Sequence, residues 1–175
     1  MTGRKILGIL GVCLAVLGSD IALKAYTFYN IPLMTWAFPS YPYGGIPVFH
    51  NWFGIDFSLS YAMNKGAAWG ILSSFQHYLL YLRFLIMAGI FLYLVVVKMP
   101  FVKKLALSLV LTGALGNVLD FFLYKHVVDM FLFCFWGYIF PVFNIADVSI
   151  FCGVVLLLFH GLWDKKKSSS CKGRL

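Results

Sequence analysis

Every acidic residue in this chain is an aspartate. The set is Asp20, Asp56, Asp120, Asp129, Asp147 and Asp164, set against 14 Lys and Arg, with no Glu. Two carboxylates that share a site cannot both ionise easily, so one keeps a proton and the other acts as a base. Such a pair can activate a water against a peptide carbonyl and protonate the leaving amine. Several Asp lie in patterned surroundings. Gly113, Gly116, Asn117 and Asp120 fall at i, i+3, i+4 and i+7, one stripe of a helix. Small residues there predict close helix packing, and the Asn and Asp make that packing face polar. Asn144 and Asp147 are three apart and would share a helical face. Asn64 opens a third small-residue stretch, Asn64-Lys65-Gly66-Ala67-Ala68-Trp69-Gly70. Lys24 follows Asp20 by four residues, a spacing that predicts an ion pair on one helix. Asp120, Asp129 and Asp147 have no adjacent base. His50, His77, His126 and His160 are scattered and read as packed or interfacial. Cys13, Cys134, Cys152 and Cys171 lack metal-ligand spacing. Neither a Ser–His–Asp nor a Cys–His grouping is evident.

The elements that must carry these residues follow from composition. Of 175 residues, 62% are hydrophobic and 11% charged, and mean hydropathy is +0.89. A soluble domain has about 45–50% apolar and about 25% charged residues, and a disordered chain has far less apolar side chain. The class is an integral membrane protein, mainly α. Four stretches reach the roughly 20 residues a span requires: about Ile6 to Tyr26, Tyr78 to Val97, Leu105 to Leu123, and Ile139 to Trp163. The first is read as a retained span, because the apolar run continues past Cys13 without a small-residue cleavage site. Residues 27–77 hold four of the six prolines and read as a structured outer loop. Within it, Phe57-Ser58-Leu59-Ser60-Tyr61-Ala62-Met63 alternates at strand period, predicting a small β element on the membrane surface. Residues 124–140 read as a second outer loop.

Basic residues set the orientation. Arg4 and Lys5 precede span one, Lys98, Lys103 and Lys104 separate spans two and three, and Lys165, Lys166, Lys167, Lys172 and Arg174 follow span four. In an even-span bundle all three clusters share one face, which the positive-inside rule makes cytoplasmic. The excess of base therefore reports topology and not nucleic-acid binding. Residues 164–175 form a basic cytoplasmic tail. At about 1.5 Å rise per residue, Asp20, Asp120 and Asp147 fall in the outer third of the bilayer and Asp129 just beyond it. Buried charge of this kind marks function more often than structure.

Taken in order along the chain, these boxes resemble the lipoprotein signal peptidase (signal peptidase II) family. Asp20 with Lys24 is similar to the family's Asp-x-x-x-Lys. Asn64 to Trp69 is similar to its Asn-x-Gly-Ala-Ala-aromatic box. Gly113 to Asp120, followed by Val127-Val128-Asp129, is similar to its span-three block, and Phe143-Asn144-Ile145-Ala146-Asp147 to its span-four block. The resemblance implies a four-helix transmembrane bundle with a small β-rich extracytoplasmic cradle, residues 1–163 forming one membrane-embedded peptidase domain. It implies that Asp129 and Asp147 are the catalytic dyad. Asn64, Gly66, Asn117 and Asn144 would line the site or hold substrate, and Asp20, Lys24 and Asp120 would support the architecture. The implied reaction cuts a bacterial prolipoprotein just before its diacylglyceryl-modified cysteine, with no metal or organic cofactor expected. The enzyme would act as a monomer in the inner or plasma membrane, in contact with membrane lipid, with its site near the extracytoplasmic face. The pattern departs at Thr112, where the family often has Gly, and at Phe121, where it carries an Arg for substrate carbonyls. Lys125 or Lys65 is expected to take over from that Arg.

Two other classes use the same residues differently. A small transporter or proton relay would need ionisable groups distributed across the membrane, whereas these acids gather at one depth. A non-catalytic assembly factor would use the small-polar stripe only to pack against partner helices.

Overall fold

The computed structural model describes residues 2–35, 40–64 and 76–172. Four helices, α1 (Gly3–Asn30), α2 (Gln76–Val96), α3 (Phe101–Tyr124) and α4 (Ile145–Lys172), each contain a stretch long and apolar enough to cross a membrane. Pro100 precedes α3, and Lys125 at φ 66° ends it. Leu85, Leu92, Val95 and Val96 of α2 and Phe151, Leu158 and Phe159 of α4 are exposed. Apolar outer faces of this kind belong against lipid, where helices satisfy their own backbone polar groups.

α3 is the central helix and packs against α1, α2 and α4. Its seam with α4 is close because glycines line it. A Cβ at Gly113 would collide with the Ala146 carbonyl oxygen, and one at Gly153 would come within 2.6 Å of the Ala106 carbonyl oxygen. The Ser149 hydroxyl donates across the seam to Leu109 O at 2.8 Å.

Four antiparallel strands form one sheet in the order β1 (Ile46–Trp52), β2 (Ile55–Asn64), β3 (Val127–Phe135), β4 (Tyr138–Ile139). The expected strand over residues 57–63 lies inside β2. Its alternation is inverted, however: Ser58 and Ser60 are the fully buried residues, while Phe57 and Leu59 are partly exposed. Small side chains are needed there because the 41–45 turn lies on that face, with Gly45 against Ser60 Oγ and Leu59 O. β3 segregates in the same way. Val128, Met130, Leu132 and Cys134 are buried, whereas Asp129, Phe131, Phe133 and Phe135 share the other face.

Two expectations are corrected. Residues 124–140 are not a loop but contribute β3 and β4, and span four begins at Ile145 rather than Ile139. The physical reason is shared. Residues 139–144 run back along β3, with Phe140 N donating to Phe133 O at 2.9 Å and Phe131 N to Phe143 O at 2.8 Å, so their apolar character serves sheet pairing. Ile31, Tyr61 and Val128 form a buried cluster that joins the C-terminal end of α1 to the sheet. Beneath it Tyr61 Oη and His126 Nε2 are 2.7 Å apart.

Candidate active site

The site forms where β3 leaves α3 and where α4 begins. Lys24 is fully buried, and its Nζ lies 2.7 Å from Asp20 Oδ2, 2.8 Å from Asp120 Oδ2 and 3.0 Å from Asn117 Oδ1. An ammonium has three N–H donors, so this set saturates it. Asp120 has no adjacent base in the sequence; in the fold it shares Lys24, which sequence spacing could not show because the contact joins two helices. Both acids also hold backbone. Asp120 Oδ2 accepts from Val128 N at 3.1 Å, fixing the start of β3, and Asp20 Oδ1 accepts from Ala146 N at 2.9 Å, in the first turn of α4.

Asn144 is the N-cap of α4 rather than a residue within it. Its Oδ1 accepts from Asp147 N at 2.8 Å, and Asp147 Oδ2 accepts in return from Asn144 N at 3.4 Å. This is the reciprocal geometry of a capping box, and it places Asp147 at the positive end of the helix dipole. The amide orientations follow from donors that cannot reverse. The Asp147 backbone N–H can only donate, so Asn144 turns its oxygen there and aims Nδ2 at Asp129 Oδ1, 2.7 Å away. Lys24 can only donate, so Asn117 turns its oxygen there and aims Nδ2 at Asp147 Oδ1, at 2.8 Å. The two amides also join each other, Asn144 Nδ2 to Asn117 Oδ1 at 3.2 Å. Each of the two carboxylates thus receives one aimed amide N–H.

Asp129 is 3% exposed. Burial pushes its carboxyl up from 3.8 to about 7, and the neighbouring Asp147 adds to the rise; hydrogen bonds from Asn64 and Asn144 and the charge of Lys24 act the other way. Below about pH 7 Asp129 therefore holds a proton. Asp147 is less enclosed and borders an open pocket of about 360 Å3, lined among the described residues by Phe140, Phe143, Val148 and Phe151. An aromatic floor leads toward Asp129 along the exposed face of β3. Phe57 stacks on Phe133 with centroids 4.4 Å apart, and Phe133 is parallel to Phe143 at 6.0 Å.

The structure thus brings together Asp20, Lys24, Asn64, Asn117, Asp120, Asp129, Asn144 and Asp147. Gly66 and Lys65 lie outside the described residues. Lys125 is exposed, and its Nζ donates to Phe122 O at 3.4 Å. The Phe residues of β3 were missed as site features, although the run Phe131-Leu132-Phe133-Cys134-Phe135 carries the aromatic signal of a strand. Among the described residues no group of three or more His, Cys, Asp or Glu could hold a metal ion.

Comparison with known proteins gives consistent results. A family model described as signal peptidase (SPase) II matches residues 12–163. A lipoprotein signal peptidase of Chlamydia pneumoniae is 36% identical over 121 residues, 68% of this chain and 72% of that protein. One from Clostridium acetobutylicum is 39% identical over 126 residues, 70% and 79% of the two. A solved bacterial membrane enzyme superposes with a TM-score of 0.75 at 27% identity, covering 95% of this chain and 92% of that one.

Proposed function

The chain belongs to the signal peptidase II family, and from that premise we propose that it is an aspartic endopeptidase that removes signal peptides from diacylglyceryl-modified prolipoproteins. Asp129 and Asp147 are the catalytic pair. Asp147 takes a proton from a water held between the two carboxyls. Asp129 donates its proton to the oxygen of the scissile carbonyl as the water oxygen attacks the carbon. Collapse of the resulting diol breaks the C–N bond, and the amine of the lipidated cysteine leaves with a proton from the pair. Asn117 and Asn144 hold the carboxyls in register, each through one amide N–H.

The observation that carries this reading is that Asn144 contacts both carboxyls at once, one through its side chain and one through its backbone N–H. The pocket beside Asp147 and the Phe floor of β3 suit an apolar signal peptide and acyl chains. The basic flanks favour cytoplasmic termini and so support a site at the extracytoplasmic face. The ionisable network joins the ends of α1, α3 and α4 next to the sheet, which gives a relay across the membrane no support.

The test is Asp129→Asn and Asp147→Asn, assayed on a lipid-modified precursor. Each is expected to lower the cleavage rate by about 1,000-fold or more, with the folded protein retained. Full activity in either variant would remove the dyad assignment.

A further inference from the structure

Two hairpin turns lie side by side at the end of the sheet remote from Asp129. The β1–β2 turn is Phe53-Gly54, between the paired residues Trp52 and Ile55. The β3–β4 turn is Trp136-Gly137, between Phe135 and Tyr138. Both have positive φ at both positions, 53° and 81° in the first and 49° and 86° in the second. These are the φ signs of a type I′ turn, the two-residue connection that matches strand twist. Glycine suits its second position, and Asn or Asp the first. Here the first position holds Phe in one turn and Trp in the other, bulky side chains for which positive φ is a steric outlier. Neither aromatic is required by the protein interior, since Phe53 is 81% exposed and Trp136 is 77% exposed. Two strained, exposed aromatics in adjacent turns point to a use outside the fold.

The turns are also locked together. Trp136 N donates to Gly54 O at 2.8 Å, and the indole edge lies where a Cβ on residue 54 would fall. Trp52 and Tyr138 are exposed beside them. No charged residue occurs in 52–55 or 135–140. The nearest carboxylate, Asp56, is occupied by His50 and by Asn51 N. Ring contacts lead from Trp136 through Phe135 to Phe140, and Phe140 lines one pocket with Phe151, an exposed residue of α4. The aromatic patch is therefore continuous with surface that belongs against lipid.

We propose that the two turns are a membrane foot: Phe53 and Trp136 enter the boundary between headgroups and acyl chains of the bilayer that holds the bundle. The indole of Trp136, apolar with one N–H, favours that depth, and Phe53 beside it adds apolar surface for the acyl side. The foot fixes the free end of the sheet against the bilayer, so that the Phe floor opens at the level of lipid.

The choice of substitution separates this role from stability. Asn is the residue these positions prefer, so Phe53→Asn and Trp136→Asn should leave unfolding temperatures unchanged or raised. The direct measurement uses protein labelled with 5-fluorotryptophan, in nanodiscs of phosphatidylethanolamine and phosphatidylglycerol. The Trp136 fluorine resonance is identified by its loss in Trp136→Asn. It is expected to broaden with a nitroxide placed high on the lipid acyl chain and to be protected from a water-soluble gadolinium chelate. Broadening by the chelate alone would overturn the proposal. Protection from both would also overturn it, by making the patch a protein–protein contact. The double Asn variant should cleave a membrane-embedded precursor several-fold more slowly, and a detergent-dissolved precursor within twofold of the parent. Equal rates in bilayers would contradict the foot even if the peptidase reading holds, and the resonance measurement does not depend on that reading.

Discussion

Asn144 shows how much one side chain can decide. Its oxygen caps α4, which forces its nitrogen onto Asp129, and its backbone N–H meets Asp147. Asp129 is the more revealing of the two acids, because its carboxyl lies at about 7 instead of 3.8. A carboxyl raised by folding binds its proton more tightly in the native state. Its contribution to stability is thus fully present below its ordinary value and is lost as pH rises to about 7. Asp129→Asn should therefore become more stable relative to the parent across that window, by a few kcal/mol at pH 8. Thermal unfolding of both proteins at a series of pH values checks this; a difference that does not vary with pH would refute it. Cleavage, which needs the proton on Asp129, should fall on the alkaline side of the same midpoint. At this scale the sequence was informative in kind and poor in connection. Asp20, Lys24, Asn117, Asp120, Asn144 and Asp147 stood out by type and spacing, and Asp129 by its expected depth and by the family resemblance. That Lys24 serves two acids and an amide depends on contacts between helices, which no local spacing encodes.

Lys24 marks the passage from residue to element, since it ties α1 to α3. Removing one member of a buried charged set leaves an unpaired charge and costs about 3–5 kcal/mol. Lys24→Met alone should lose about that much. Lys24→Met combined with Asp20→Asn and Asp120→Asn leaves no charge behind and should regain much of it. The triple variant still lacks the donor that turns Asn117 toward Asp147, so cleavage should stay at least about tenfold below the parent at equal stability. Unfolding curves paired with cleavage rates separate the two effects, and full activity in the triple variant would reduce Lys24 to a structural role. The α3–α4 seam makes a second element-scale prediction. Gly113→Ala places a methyl against the Ala146 carbonyl and must shift the first turn of α4, which carries Asp147. It should cost about 1–3 kcal/mol and lower cleavage. Gly8→Ala on α1, with nothing within 4 Å, is the control and should be neutral or slightly stabilising. The four helices and β2 were legible from apolar run length and from period-two alternation. β3 and β4 were not, because residues 127–140 are apolar on both faces and lose the alternation that identifies a strand. The same continuous apolar character set the expected start of α4 six residues too early, at Ile139 instead of Ile145.

At the scale of the whole molecule, a membrane bundle and a small sheet divide the labour. Helix ends supply Lys24, Asn117, Asp120 and Asp147, and the sheet supplies Asp129, Asn64 and the Phe floor. The proposed dyad lies where the two parts meet, so on this reading neither the bundle nor the sheet acts alone. This also explains why composition and charge were enough for fold class and expected orientation but not for the site. The first two are sums over residues, whereas the site is a junction. The central claim is that Asp129 and Asp147 act together on one water. The most direct test is an experimental structure with a lipopeptide bound in which a hydroxyl replaces the scissile carbonyl. The account predicts that one oxygen from each carboxyl lies within about 3 Å of that hydroxyl. Carboxyls too far apart for one hydroxyl or one water to touch both, with the lipopeptide in place, would contradict it.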